Sequence, residues 1–364
     1  MSQALPAHQH RQQDILDFML NVYGVDEREA RKVGAIYRKS GIETRYSAIA
    51  DYSQKPEEWT FFPQNKDLAP FPTVEQRMAY FQKAALPLAL RAVKSLPQVQ
   101  YLPQVSHLIT VSCTGISAPG LDIALLKALA LPLHTARSAV NFMGCYAGFH
   151  ALRQADAICR ADPQALVLIV DVELCTLHFQ KKYDTDNVMA NALFADGAAA
   201  VLVASEVWTQ AERLQGIKLE QFYAEIAPEG EQDMAWEISA TGFQMTLSSY
   251  IPQLIQKGIA DLAARALQKS QKHHTQIQHW AIHPGGRKIL EAFQQALDLP
   301  EGALQASFDV LRAFGNMSSV SIFFVLQELW QRHFHWQGTE RIFAAGFGPG
   351  LTIETALLST FLPD

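Results

Sequence analysis

The stretch NFMGCYAGFH places Cys145 between a glycine and an aromatic residue, where the strand-and-turn pattern SAVNFMG gives way to the helical spacing of YAGFHALRQADAICRAD. A cysteine just ahead of a helix meets unpaired backbone N–H groups and the positive end of the helix dipole, and both favour thiolate over thiol. The position predicts an activated nucleophile, whereas Cys159, well inside the same helical pattern, reads as core. Such a thiol needs a base and a holder for an oxyanion. His283 in WAIHPGG lies where an apolar strand meets a Pro-Gly-Gly turn, so its ring is expected to project at the strand's end. Asn316 in FGNMSS precedes a helical run starting near it, and a helix N-cap is the ordinary use of Asn there. Spacing alone does not show that the three residues meet.

The elements that must position them follow α/β grammar. SHLITVS ends at CTGISAPG and is followed by the helical LDIALLKALAL, while ALVLIVDVEL and GAAAVLVAS read as buried strands. In the second half, QIQHWAIHPGG and RIFAAGFGPG are strands running into Gly-rich turns, and NMSSVSIFFVLQELWQRHF is a helix. LFADGAAAVLVAS and IFAAGFGPGLTIETALLS both place a Phe-Ala-x-Gly turn before a strand, an echo of two similar halves. LEQFYAEIAPEGEQDMAWEISATG is polar without a sustained period, so a boundary is placed between residues 1–215 and 216–364.

Composition excludes several classes. With 364 residues, 49% apolar and 18% charged, the chain can bury a large core, in two units of roughly 150 to 200 residues. A net charge of −6 and the lack of a long Lys/Arg block argue against nucleic acid as a partner. The polar start and the short apolar runs give no integral membrane segment, so a soluble, cytoplasmic protein is expected. Four cysteines form neither a disulfide framework nor a metal-binding pattern, and no metal ligand set is expected.

The blocks GCYAGFHALR, ALFADGAAAVLV, WAIHPGGRKIL, GNMSSVSIFFVL and GFGPGLTIET resemble, in order and nearly in spacing, those of type III polyketide synthases, the group of chalcone and stilbene synthases. The resemblance runs from about residue 30 to the C-terminus. It implies an α/β, thiolase-like, five-layered αβαβα fold of two related halves, the first carrying the nucleophile and the second the His and Asn. It further implies a homodimer with one internal site per subunit, and Cys145, His283 and Asn316 as a catalytic triad. By the same resemblance Phe194 stands between a coenzyme A tunnel and the reaction cavity. Met245 takes the place of a second gating Phe. Cys113, Thr114, Cys175, His178 and Ser318 line the cavity, and Gly346 and Pro349 of GFGPG belong to the loop that shapes it. GFGPG is not a P-loop, because the Lys-Ser/Thr pair is missing. Lys32 and Lys39 match two of three phosphate-contacting basic residues. Ala35 holds the third place, with Arg31 or Arg38 available to compensate.

The implied substrates are coenzyme A thioesters, with no permanently bound cofactor. An acyl group from an acyl-CoA starter is loaded on Cys145 and extended by decarboxylative Claisen condensation with malonyl-CoA. The chain is then cyclised to a pyrone, resorcinol or polyhydroxynaphthalene-type product. Met245 and the cysteines of the cavity depart from the plant pattern and favour an aliphatic or malonyl starter. Two other readings are an initiating β-ketoacyl carrier-protein synthase, disfavoured by HPGG and GFGPG, and a non-catalytic thiolase-fold binding protein, which would not need the cysteine.

Overall fold

In the computed structural model, which describes residues 1–248 and 250–363, two sheets face each other across a pair of helices. The first sheet runs Ser2–Ala4, Asp196–Ala204, Leu166–Leu174, His107–Ser112, Ala136–Asn141 from edge to edge. The second runs His279–Ile282, Arg341–Gly348, Thr352–Phe361, Gly216–Ile226. Each contains the same four-strand unit: a parallel pair, then an antiparallel strand, then an antiparallel edge strand. The first sheet adds Ala136–Asn141, parallel to His107–Ser112.

Between the sheets lie Ala147–Ala161 and Val320–Arg332. The second is apolar nearly all round over its first two turns, VSIFFVL, where sheets lie on both sides. Val74–Lys94 covers the outer face of the first sheet, and Ile251–Gln268 with Arg287–Ala296 the outer face of the second. Three apolar cores result, one between the sheets and one under each outer layer, giving the five layers αβαβα.

Three local expectations are corrected. Phe343-Ala-Ala-Gly346 lies inside the strand Arg341–Gly348 and is not a turn. Much of the polar stretch after residue 215 is the edge strand Gly216–Ile226, whose outer side faces solvent and so needs no apolar run. The helix expected near Asn316 begins at Val320, because Ser318 at φ 51° turns the chain before the helical register starts.

Candidate active site

Cys145, His283 and Asn316, far apart in sequence, line one buried cavity at the C-terminal ends of strands from both sheets. Cys145 follows Gly144 and lies just before the central helix Ala147–Ala161. His283 follows the strand His279–Ile282, and its backbone N–H donates to Ala345 O (2.8 Å). Asn316 sits in the turn leading to the other central helix. It is not that helix's N-cap, a position held by Ser319. Its Oδ1 accepts from the Ser318 N–H (2.9 Å) and its Nδ2 donates to Gly285 O (3.2 Å), tying it to the His283 turn.

The cavity encloses ≈ 40 Å³. Cys113, Thr114, Cys175, Phe194, Met245, Ser318 and Pro349 line it as expected. Two expected lining residues do not. Gly346 faces the inter-sheet layer, where an added Cβ would fall 2.7 Å from Phe149 Cε2. His178 lies behind Trp236, in a neighbouring cavity, stacked on Phe243 at 4.1 Å between centroids. Lys32 and Lys39 are exposed on the helix Glu27–Lys39, away from the cavity, and Lys32 is paired with Glu29 (2.7 Å).

Electrostatics correct the expectation of a low-pKa thiol. Burial pushes Cys145 up to about 12, and the hydrogen bonds from Ser318 and Asn316 offset this only partly. Burial lowers His283 to about 3, and neither of its ring nitrogens has a hydrogen-bond partner among the described residues. Burial thus works against the thiolate and against the imidazolium alike. Desolvation of a charge outweighs the helix end here because the cavity is small and closed.

Several residues of the site were missed from sequence. Trp236, on Met234–Ser239, is the cross-strand partner of Met245 and donates from Nε1 to Cys113 O (2.8 Å). With Cys175, Phe194 and Met245 it borders both the reaction cavity and the neighbouring one. Trp236→Gly is expected to join the two spaces and shift the distribution toward longer acyl groups or products, read by mass spectrometry of the products.

Below the cavity, Glu173 accepts from Thr114 Oγ1 (2.8 Å), the Cys113 N–H (3.0 Å) and Ser319 Oγ (2.7 Å). Ser319 Oγ is also 3.0 Å from Asp171. One hydroxyl proton cannot serve both carboxylates, and burial, then the charge of Glu173, raises Asp171 well above its usual range. The signal was present in LVLIVDVEL, where two carboxylates two residues apart share one face of an otherwise apolar strand.

His178 Nδ1 accepts from the Phe243 N–H (3.1 Å), so Nε2–H donates to Thr114 O (2.7 Å). Burial lowers this imidazole from 6.5 to about 3. Between those values the unfolded chain binds the extra proton, so wild type loses stability as pH falls from about 6.5. Denaturation series at pH 7.5 and 5 should show a smaller acid loss for His178→Gln, by up to roughly 1.4 kcal/mol per pH unit below 6.5.

The sequence profile of the chalcone and stilbene synthase N-terminal domain matches residues 1–207, and that of the C-terminal domain matches residues 218–361. The chain belongs to the chalcone and stilbene synthase family. The match begins at residue 1, earlier than the motifs alone indicated, and takes in Ser2–Ala4, an edge strand of the first sheet. The chain is 32% identical to the alpha-pyrone synthesis polyketide synthase-like Pks18 of Mycobacterium tuberculosis, over 95% of this chain and 86% of that protein. A putative chalcone synthase of Bacillus subtilis is 27% identical, over 98% and 96%. The crystal structure of PKS-I from the brown alga Ectocarpus siliculosus superposes with a TM-score of 0.87 at 30% identity, over 99% and 97% of the chains. The five-layered architecture is thus the thiolase-like fold of this family, and the protein is a condensing acyltransferase of the type III polyketide synthase class. Members of the class work on coenzyme A thioesters. Among the described residues no helix is long and apolar enough to cross a membrane, and no cluster of His, Cys, Asp and Glu could hold a metal ion.

Proposed function

We propose that Cys145, His283 and Asn316 carry out starter loading and decarboxylative condensation in this polyketide synthase. The supporting observation is their convergence on one buried cavity between the two sheets. The Cys145 proton passes to His283 as sulfur attacks the acyl-CoA carbonyl, and coenzyme A leaves as the thiol with that proton. Thiolate and imidazolium form together, so neither charge stands alone in the buried site. Malonyl-CoA then loses CO2, and the electron pair of the broken C–C bond enters the thioester as an enolate. Its oxygen accepts hydrogen bonds from His283 and Asn316. The enolate carbon attacks the Cys145 thioester, forming the new C–C bond and releasing the thiolate. Repeated extension and cyclisation give a pyrone, resorcinol or polyhydroxynaphthalene-type product.

The starter is proposed to be malonyl or aliphatic, since Trp236 and Met245 leave little room beside Cys145. A homodimer is proposed on the exposed outer edge of Ala136–Asn141, a strand free to pair with a second copy. Residues 1–215 and 216–364 are taken as the two halves. Lys32 and Lys39 are proposed to meet the coenzyme A phosphates. The Lys32→Ala, Lys39→Ala double variant should raise KM for the CoA ester by about fivefold with kcat retained, as expected for exposed ion pairs.

The reading is tested by mass spectrometry of products from malonyl-CoA with a panel of starter CoA esters. Malonyl-dependent polyketide is the expected result. Its absence with folded wild type would move the assignment to a carrier-protein-dependent synthase, and faster turnover of cinnamoyl-type starters would overturn the starter class.

A further inference from the structure

Arg45, on the short strand Thr44–Ser47, is 3% exposed and makes no ion pair with a carboxylate among the described residues. Asp196 attracts it without forming a direct ion pair, and a buried cation with no carboxylate in contact is costly unless something else holds it. Here the partner is a helix end: Nη1 donates to Asn191 O (2.9 Å) and Phe194 O (2.7 Å), at the last turn and C-cap of Thr185–Leu193. The aliphatic stem meanwhile lies on Gly315. A Cβ there would be 2.9 Å from Arg45 Cγ and 3.0 Å from Cδ, so only glycine allows the approach.

These two ends of Arg45 reach the two sides of one backbone junction. The Asn316 N–H donates to Leu193 O (2.9 Å), and the Ala195 N–H donates to Asn316 O (2.8 Å), making a parallel bridge between Phe194 and Asn316. The backbone of the proposed gate and that of the proposed enolate-holding amide are therefore one unit. Arg45 grips Phe194 from its carbonyl and backs Asn316 through Gly315.

We infer that Arg45 is a positioning residue for the condensation, holding the Phe194 backbone and Asn316 in one register while touching neither substrate nor the reacting atoms. The inference rests on the proposed roles of Asn316 and Phe194. It separates the two chemical steps: displacement of Asn316 impairs the decarboxylation that needs its amide far more than it changes the thiol at Cys145, which sits on a different element, keeps its contact with Ser318 and loses at most the one from Asn316.

Wild type, Arg45→Met and Arg45→Lys are compared for decarboxylation of malonyl-CoA to acetyl-CoA and CO2, and for alkylation of Cys145 by iodoacetamide. Thermal melts are recorded alongside. Arg45→Met keeps the stem and loses the grip on the carbonyls, so its kcat for decarboxylation should fall on the order of 100-fold. Cys145 alkylation should change by no more than about tenfold, the effect of losing one hydrogen bond, well short of the loss in decarboxylation. Arg45→Lys, with the charge but not the fork, should fall between them. If Arg45→Met does not fold, Arg45→Lys decides: at least a tenfold loss of kcat at unchanged KM supports the inference, and an unchanged kcat overturns it. Unchanged decarboxylation in folded Arg45→Met, or equal loss of decarboxylation and alkylation, also overturns it. A wild type that does not decarboxylate malonyl-CoA would sink the functional reading itself, a result distinct from those.

Discussion

Cys145→Ala is expected to lower polyketide formation by at least about 10³-fold, the scale on which loss of a covalent nucleophile acts. The reason is positional as well as chemical. Cys145 is the one thiol of the cavity that precedes the central helix. Cys113 lines the same cavity, but its Sγ accepts the Gly144 N–H (3.0 Å), and burial beside Glu173 raises it well above the ordinary thiol value. Cys175 is raised well above that value for the same reasons, burial first and then the charge of Glu173. Neither is placed to substitute. The alanine variant should keep its melting temperature and retain decarboxylation of malonyl-CoA, because His283 and Asn316 are intact. Mass spectrometry of the products separates the two activities. Polyketide from the folded variant at wild-type rate would remove Cys145 from the mechanism.

Gly144→Ala is expected to destabilise the protein by about 3 kcal/mol or more, above the usual range for a single substitution. Gly144 has φ +88°, and an added Cβ would overlap the Pro349 ring. The residue cannot slide away, since its N–H is held by Cys113 Sγ and its carbonyl by the Ala147 N–H (3.0 Å). The loop bearing Pro349 would have to move and carry the cavity wall beside Cys145 with it. Gly24→Ala is the control: Gly24 has φ +61° with nothing within 4 Å of the added Cβ, so only backbone strain of about 1–2 kcal/mol applies. Chemical denaturation of both variants reads the difference. Equal losses would show that the Pro349 contact relaxes freely.

What was legible in the sequence was local or repeated. The Gly-Cys turn before a helix, the strand ending at His283 and the apolar helix after Asn316 each follow from patterns within about 20 residues. The five family blocks carried the fold, and the two-half echo reflected a real repeat of four strands, although one of its matched turns is a strand interior.

What only the tertiary structure decided depends on groups distant in sequence. Trp236 closes the cavity because strand pairing sets it opposite Met245 and its indole N–H reaches Cys113 O. Asp171 and Glu173 are pushed up by burial, while Ser319, nearly 150 residues away, bonds both carboxylates and works against that shift. Arg45 reaches Phe194 O across 149 positions. The helix position of Cys145 argued for a thiolate, yet the resting thiol is pushed up to about 12. A helix end is a local feature that sequence periodicity reveals, whereas desolvation is set by every atom that closes over the sulfur, and those atoms come from both halves of the chain.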